Sequence, residues 1–412
     1  MERRGDPWHT DRWFTSPWNH DPTVRDSFSL ADTIEVHDTT LRDGEQQAGV
    51  IFSAVDKVRI AHALADAGVH RIEAGMPAVS PEDEKAIREI VSSDLPSSIY
   101  VLSRCLKDDI TRAVDCGVDG VVVEIPSSDH LIQLGYRWTV ERAIELCVEA
   151  TGYAHQQGLK VSFFPVDATR ATKMQYVDLI GTIARNGHVD AIGLVDTFGV
   201  LAPHAVELFV KESLRFGVPL ETHFHMDFGL GVANTLLALG AGASVMHTTV
   251  SGLGERAGNT PLEETAMALL VMYDKDLGLK TQSFTELAHL VNGLAGVTQT
   301  SNRPVSGPTL FDIESGMVAG WVVNARDVDP TEIVPYLPSL VGQSGPNIVL
   351  GKGSGPDSIA DGLRQLKIEV TPELVRDMLP LVKLTANEKM RLLTLDELQG
   401  IAEKVIADRR GG

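Results

Sequence analysis

His223 and His225 stand two residues apart in the run LETHFHM, at 220 to 226. In an extended strand the side-chain period of two puts both imidazoles on one face, at backbone positions about 7 Å apart. Such a pair can chelate a divalent ion or simply hydrogen-bond at the edge of a sheet. Asp43, in the run HDTTLRDGEQ, offers the hard oxygen that shifts the balance to a metal if the fold brings it to the same place. Two imidazoles and one carboxylate make a facial set with open positions, on which a substrate could chelate through a carboxylate and an adjacent carbonyl oxygen. The ion then acts as a Lewis acid on that carbonyl and stabilises the alkoxide or enolate that develops. Arg42, immediately before Asp43, adds a fixed positive charge to the same oxygen. The chemistry indicated is the making or breaking of a carbon–carbon bond next to a carboxylate.

What must position these groups is a repeating strand and helix scaffold. Strand-like apolar runs occur at 34 to 41, 70 to 76, 98 to 105, 119 to 126, 160 to 166, 191 to 197, 220 to 226 and 244 to 250. Between them lie stretches such as SAVDKVRIAHALADAG, TVERAIELCVEATGYAHQQG and PHAVELFVKESLRFG, with apolar residues at helical spacing and glycine at the end. Strictly alternating units predict a parallel sheet with right-handed crossovers, and eight of them predict a closed (β/α)8 TIM barrel. A doubly wound sheet is the alternative, but no G-x-G-x-x-G follows the first strand. In a barrel the site lies where the strands end. The ends here are polar: Arg42, Asp43, Gly44 and Glu45 after the first run, Asp196 and Thr197 at the sixth, His223, His225 and Asp227 at the seventh, and GLGERAGN with Asn259 after the eighth.

The rhythm changes near residue 297, and the expected division is an N-terminal arm over 1–32, a catalytic barrel over 33–296 and a smaller C-terminal α/β appendage over 297–412. The arm carries Trp8, Trp13 and Trp18, which argues that it packs on its own barrel or on a second subunit, with a partly ordered tail as the alternative. A net charge of −20 disfavours nucleic acid and anionic membrane as partners, so an anionic small-molecule substrate needs a metal or placed arginines. Three cysteines without zinc spacing point to free thiols in a reducing compartment. The absence of an apolar leader, or of a run of roughly 18 apolar residues, predicts a cytoplasmic protein.

The segments HDTTLRDGEQQAG, GVHRIEAGMPAVSPED, LSRC, DTFG, ETHFHMDFGLGVANTLLALGAGA and SGLGERAGNTPLEE, in order over about residues 33 to 275, closely resemble the metal-dependent synthases and lyases that include isopropylmalate, homocitrate and citramalate synthases and hydroxymethylglutaryl-CoA lyase. The resemblance implies Asp43, His223 and His225 as ligands of a divalent ion (Zn, Mn, Co or Mg), with Asn259 near or on it. It implies Arg42 as the electrostatic catalyst and places Thr197, Glu73 and Arg104 against the substrate. PTLFDIESGMVAGW and NIVLGKGSGPDSI resemble the C-terminal segments of the synthases. That implies acetyl-CoA or another acyl-CoA as co-substrate and a homodimer whose appendage reaches over the partner's barrel.

The chain departs from that family where protons are moved. Ile313, Val318 and Gly353 stand where synthases usually have His, and Val166 where they have Glu; the lyase cysteine is missing around Gly254, Glu255 and Arg256. A condensation needs a base for the acyl methyl, a far weaker acid than any side chain. Glu45, His130 and Asp167 remain as candidates near the mouth. The catalytic candidates are therefore Arg42, Thr197 and Glu45, and the substrate-facing ones Glu73, Arg104, His130 and Asp167. The leading expectation is an acyl-CoA:2-oxo acid condensing enzyme, an acyltransferase forming a 2-substituted malate. The alternatives are a metal-dependent aldolase or carbon–carbon lyase working without CoA and, more remotely, a non-catalytic carboxylate sensor.

Overall fold

Helix starts and strand ends follow local chemistry. Helix Ala54–Asp66 begins where the Ser53 hydroxyl accepts from the Asp56 amide while the Asp56 carboxylate reaches back, a reciprocal cap. Thr139 caps Val140–Gln156 by accepting from the Arg142 amide, and Pro203 opens Pro203–Leu214 with its ring already at helical φ. In this computed structural model, which describes residues 6–411, such helices alternate with eight strands. They are β1 (Glu35–Asp38), β2 (Arg71–Glu73), β3 (Ser98–Arg104), β4 (Gly120–Pro126), β5 (Lys160–Val166), β6 (Ala191–Asp196), β7 (Leu220–Phe224) and β8 (Val245–Thr248). They pair in sequence order, all parallel, and β8 closes on β1 with His37 opposite His247. The fold is the TIM barrel expected from the alternation, with helices forming an appendage beyond it.

The first strand is shorter than its apolar run. After Asp38 the Thr39 carbonyl collects the amides of Arg42, Asp43 and Gly44 at 3.1, 2.8 and 3.1 Å, so the chain turns over the barrel mouth there. Tyr100, Leu102, Val122, Phe164 and Val195 fill the barrel, and Met76 and Val166 pack against them. The three cysteines are free and buried. Among the described residues, no helix is long and apolar enough to cross a membrane.

The chain forms two compact units: Trp18–Gln299, and the residues up to Pro17 together with those from Thr300 onward. Where the sequence suggests one arm over 1–32, the chain divides at Pro17. Trp13 is buried and donates from Nε1 to the Pro7 carbonyl at 3.0 Å. The neighbouring backbone bonds to the C-terminal segment through Phe14 N to Pro335 O (3.1 Å) and Leu337 N to Arg12 O (2.8 Å). The backbone groups of Arg12 and Phe14 thus find their partners on either side of Tyr336. Met1 to Gly5 of the arm lie outside the described residues. In the second unit, helices Pro356–Gln365, Pro372–Lys389 and Leu395–Gly411 pack around Leu363, Met378, Val382, Leu398 and Ala402. Its strands are two parallel pieces, Asp312–Ile313 and Asn347–Ile348.

Candidate metal centre

Asp43 enters the mouth from the turn after β1, His223 from the end of β7 and His225 just beyond it. The Asp43 Oδ2 lies 3.1 Å from His223 Nε2 and 3.7 Å from His225 Nε2, and the two Nε2 atoms are 3.3 Å apart. All three residues are buried. Burial pushes His223 down to about 3 and His225 below its ordinary range, against the pull of Asp43, so both rings are neutral with a lone pair to offer. Burial alone would raise Asp43; the Arg42 guanidinium first, then the two imidazoles, hold it well below the carboxylate range. Three lone-pair atoms facing one point suit a cation better than one another.

The loop after β8 completes this group. Met226 N bonds Gly258 O at 2.9 Å and Thr260 N bonds Phe224 O at 3.0 Å, stitching the loop to the end of β7. Gly258 has φ +85°, and a Cβ there would lie 1.9 Å from the Gly252 carbonyl oxygen, so only glycine permits this crossing. A Cβ at Gly254 would meet the Asn259 amide nitrogen at 2.3 Å. Asn259 donates from Nδ2 to Leu253 O at 3.1 Å, while its Oδ1 is buried without a partner. A buried carbonyl oxygen left unsatisfied beside the histidine strand is what a bound cation would relieve. The donor set of Asp43, His223 and His225, with Asn259 adjacent, therefore fits a divalent ion.

Arg42 lies beside this group, 3.4 Å from Asp43 Oδ2. Its Nε donates to Glu73 Oε1 at 2.6 Å and its Nη2 to Glu73 Oε2 at 3.3 Å, so Glu73 holds the guanidinium rather than standing free toward a ligand. A cavity of about 260 Å³ opens against Arg42, lined also by Gln46, Met76 and Leu102.

The other residues singled out from the sequence sit further out. Glu45 accepts from Phe52 N at 2.8 Å and pairs with Lys57 at 2.5 Å, which fixes the loop after β1. Asp167 is saturated by Ser128 Oγ (2.5 Å), Arg170 Nε (2.6 Å) and His130 Nε2 (3.0 Å), and its amide donates to Thr197 Oγ1 at 2.8 Å. Thr197, Asp167 and His130 thus form a second polar patch along the rim. Arg104 is half exposed and bound bidentately to Asp109 at 2.7 and 2.9 Å. The structure therefore unites Asp43, His223, His225, Asn259 and Arg42, with Glu73 behind Arg42, and brings neither Glu45 nor Asp167 to them with a free carboxylate.

Glu124 escapes a reading by motif. It lies in the apolar run VVVEIP, and its one signal is a lone charge where a fully buried strand should be apolar. On β4 it shares the inward face with Val122 of the barrel interior.

A family model described as HMGL-like matches residues 33–291. Among curated proteins, homocitrate synthase AksA of Methanothermobacter thermautotrophicus is 37% identical over 87% of this chain and 90% of its own length. A probable 2-isopropylmalate synthase of Ignicoccus hospitalis is 37% identical over 92% of this chain and 94% of its own. Among solved structures, hydroxymethylglutaryl-CoA lyase from Pseudomonas aeruginosa superposes with a TM-score of 0.59 at 21% identity, covering 65% of this chain and 95% of that one, a likeness of fold.

Proposed function

The chain belongs to the HMGL-like family, and from that membership we propose that it condenses an acyl-CoA with a 2-oxo acid to give a 2-substituted malate and free CoA. The observation that carries this reading is the convergence of Asp43, His223 and His225 beside Arg42 at the barrel mouth. Its second support is that the synthase relatives match along most of the chain, barrel and C-terminal region together. When bound, a divalent ion supplies Lewis acidity to the acceptor's carbonyl.

The chain's own groups account for the remainder. Asp43, His223 and His225, with Asn259 beside them, would hold the ion, and they would leave room for the carboxylate and carbonyl of the acceptor next to Arg42. Arg42, locked in place by Glu73, presents its guanidinium to the oxygen that gains charge as the new carbon–carbon bond forms. Because the fork is fixed before the reaction, no reorganisation is required when that charge appears. Water then cleaves the thioester, releasing the CoA thiol. We further propose that the protein works in the cytoplasm as a homodimer. Met317 and Trp321, 68% and 52% exposed on helix Gly316–Ala325, offer an apolar surface for association, testable by light scattering.

The test is thiol release by the metal-loaded protein with acetyl-CoA against a panel of 2-oxo acids. Release that depends on one acid establishes the condensing reading and names the acceptor. If metal-loaded protein releases no thiol with any acid but cleaves a 2-hydroxy acid, the aldolase reading replaces it. Val166, an apolar residue where the synthases usually carry Glu, favours that alternative.

A further inference from the structure

The condensation needs a base, and the carboxylates first considered for it are engaged: Glu45 by Lys57 and a backbone amide, Asp167 by Ser128, His130 and Arg170. Glu124 differs. It sits near the C-terminal end of β4, in register with Arg104 on one side and Phe164 on the other. Phe164 in turn meets the His223 ring edge-on at 4.6 Å, so the Glu124 layer is the one that borders the metal-binding histidines. Arg42, Glu73, Arg104 and Asp43 all lie close enough for their charges to act on it, and Tyr136, beyond the turn Leu131–Gly135, feels its charge from above. Among the described residues no hydrogen bond or ion pair engages its carboxylate. Partly buried and with neither oxygen claimed by a neighbouring side chain, this carboxylate is available to a ligand or a reaction at the mouth.

We propose that Glu124 is the general base of the condensation, an assignment that rests on the condensing reading above. Its carboxylate oxygen takes a proton from the carbon next to the acyl-CoA carbonyl. The C–H electron pair becomes the enolate and forms the new bond to the carbonyl carbon of the 2-oxo acid. The C=O pair of the acceptor moves onto its oxygen, facing Arg42, and that alkoxide is reprotonated as Glu124 returns its proton. Burial above all pushes the Glu124 carboxyl above its ordinary range; Arg42 and Arg104 oppose this, and Glu73 and Asp43 add to it. The carboxylate is thereby a stronger base than one in water.

The experiment compares wild type with Glu124→Gln, Glu124→Asp and Glu124→Ala, with metal content and circular dichroism confirming the fold. For a base, Glu124→Gln lowers kcat by about 10²- to 10⁴-fold while KM for both substrates changes little. Glu124→Asp recovers part of the rate, and added formate or acetate restores turnover to Glu124→Ala, more so with the more basic carboxylate. A merely structural role would show no such dependence on the rescuing base. A Glu124→Gln protein that keeps the wild-type kcat overturns the assignment, as does a folded, metal-loaded variant whose loss neither aspartate nor added carboxylate reverses. These outcomes presuppose a wild type that releases thiol. A wild type that releases none removes the condensing reading itself, and the assignment of Glu124 falls with it.

Discussion

Two groups built from the same side-chain types lie within one barrel and differ in geometry. At the mouth, Asp43, His223 and His225 aim Oδ2, Nε2 and Nε2 at a common point. Inside, His37, Glu73 and His247 also approach closely, but the two imidazoles stack with centroids 4.2 Å apart and ring planes within 12°. Parallel rings send their lone pairs past one another. The inner carboxylates are already committed: Glu73 to Arg42, and Glu221 to Arg71 (2.7 Å), His247 (3.0 Å) and Ser162 (2.5 Å). The inner group is a run of paired charges filling the barrel above a cavity of about 370 Å³ at the opposite end from the mouth. Composition alone would score the two groups alike; lone-pair direction and prior commitment of the carboxylates separate the proposed cation site from a buried network.

The largest expected effect tests the mouth. Asp43→Ala or His223→Ala should abolish metal binding and lower turnover at least about 10³-fold, measured by metal analysis beside thiol release. Full activity in a verified metal-free double variant would overturn the site. Next, Arg42→Lys should keep the metal yet lose about 10²-fold in kcat, because an ammonium can neither grip Glu73 through two bonds nor present a flat fork to the alkoxide. Unchanged kcat removes Arg42 from the chemistry.

A smaller effect tests the inner group. His247→Phe should leave metal stoichiometry and kcat close to wild type and cost about 1–3 kcal/mol of stability, because Glu221 loses a buried partner. If the metal count falls by one ion in this variant, the inner group is a second metal site and the contrast collapses.

The smallest effect concerns Asp38, which neighbours His37 on β1. Burial raises its carboxyl to about 7, while one oxygen accepts from Thr40 N at 2.9 Å and the other has no partner. Between the unfolded value of about 3.9 and 7 the native state holds a proton that the unfolded chain has lost, so this residue makes stability fall as pH rises through that window. Asp38→Asn should flatten the fall of melting temperature across it. An unaltered slope assigns the dependence to other groups.

The alternation of apolar runs with helical stretches was enough to read the barrel, because a strand buried on both faces must be apolar and each crossover helix must show its own period. Asp43, His223 and His225 were legible for a related reason: strand ends are forced to one rim, and polar residues at such ends have little else to do there. Glu45 and Asp167 were equally plausible on that logic. Only the folded chain shows Lys57 and the Phe52 amide claiming one and Ser128, His130 and Arg170 the other. Glu124 was invisible as a functional residue because a single charge within VVVEIP says nothing of which charges face it across the barrel. The backbone bridge between Trp13 and Tyr336 was equally out of reach, since the two lie more than three hundred residues apart in the chain. Strand and helix periods are local and survive in the sequence. Which lone pairs converge, and which carboxylates remain unclaimed, depend on distances between segments remote in the chain, and those exist only once the barrel has closed.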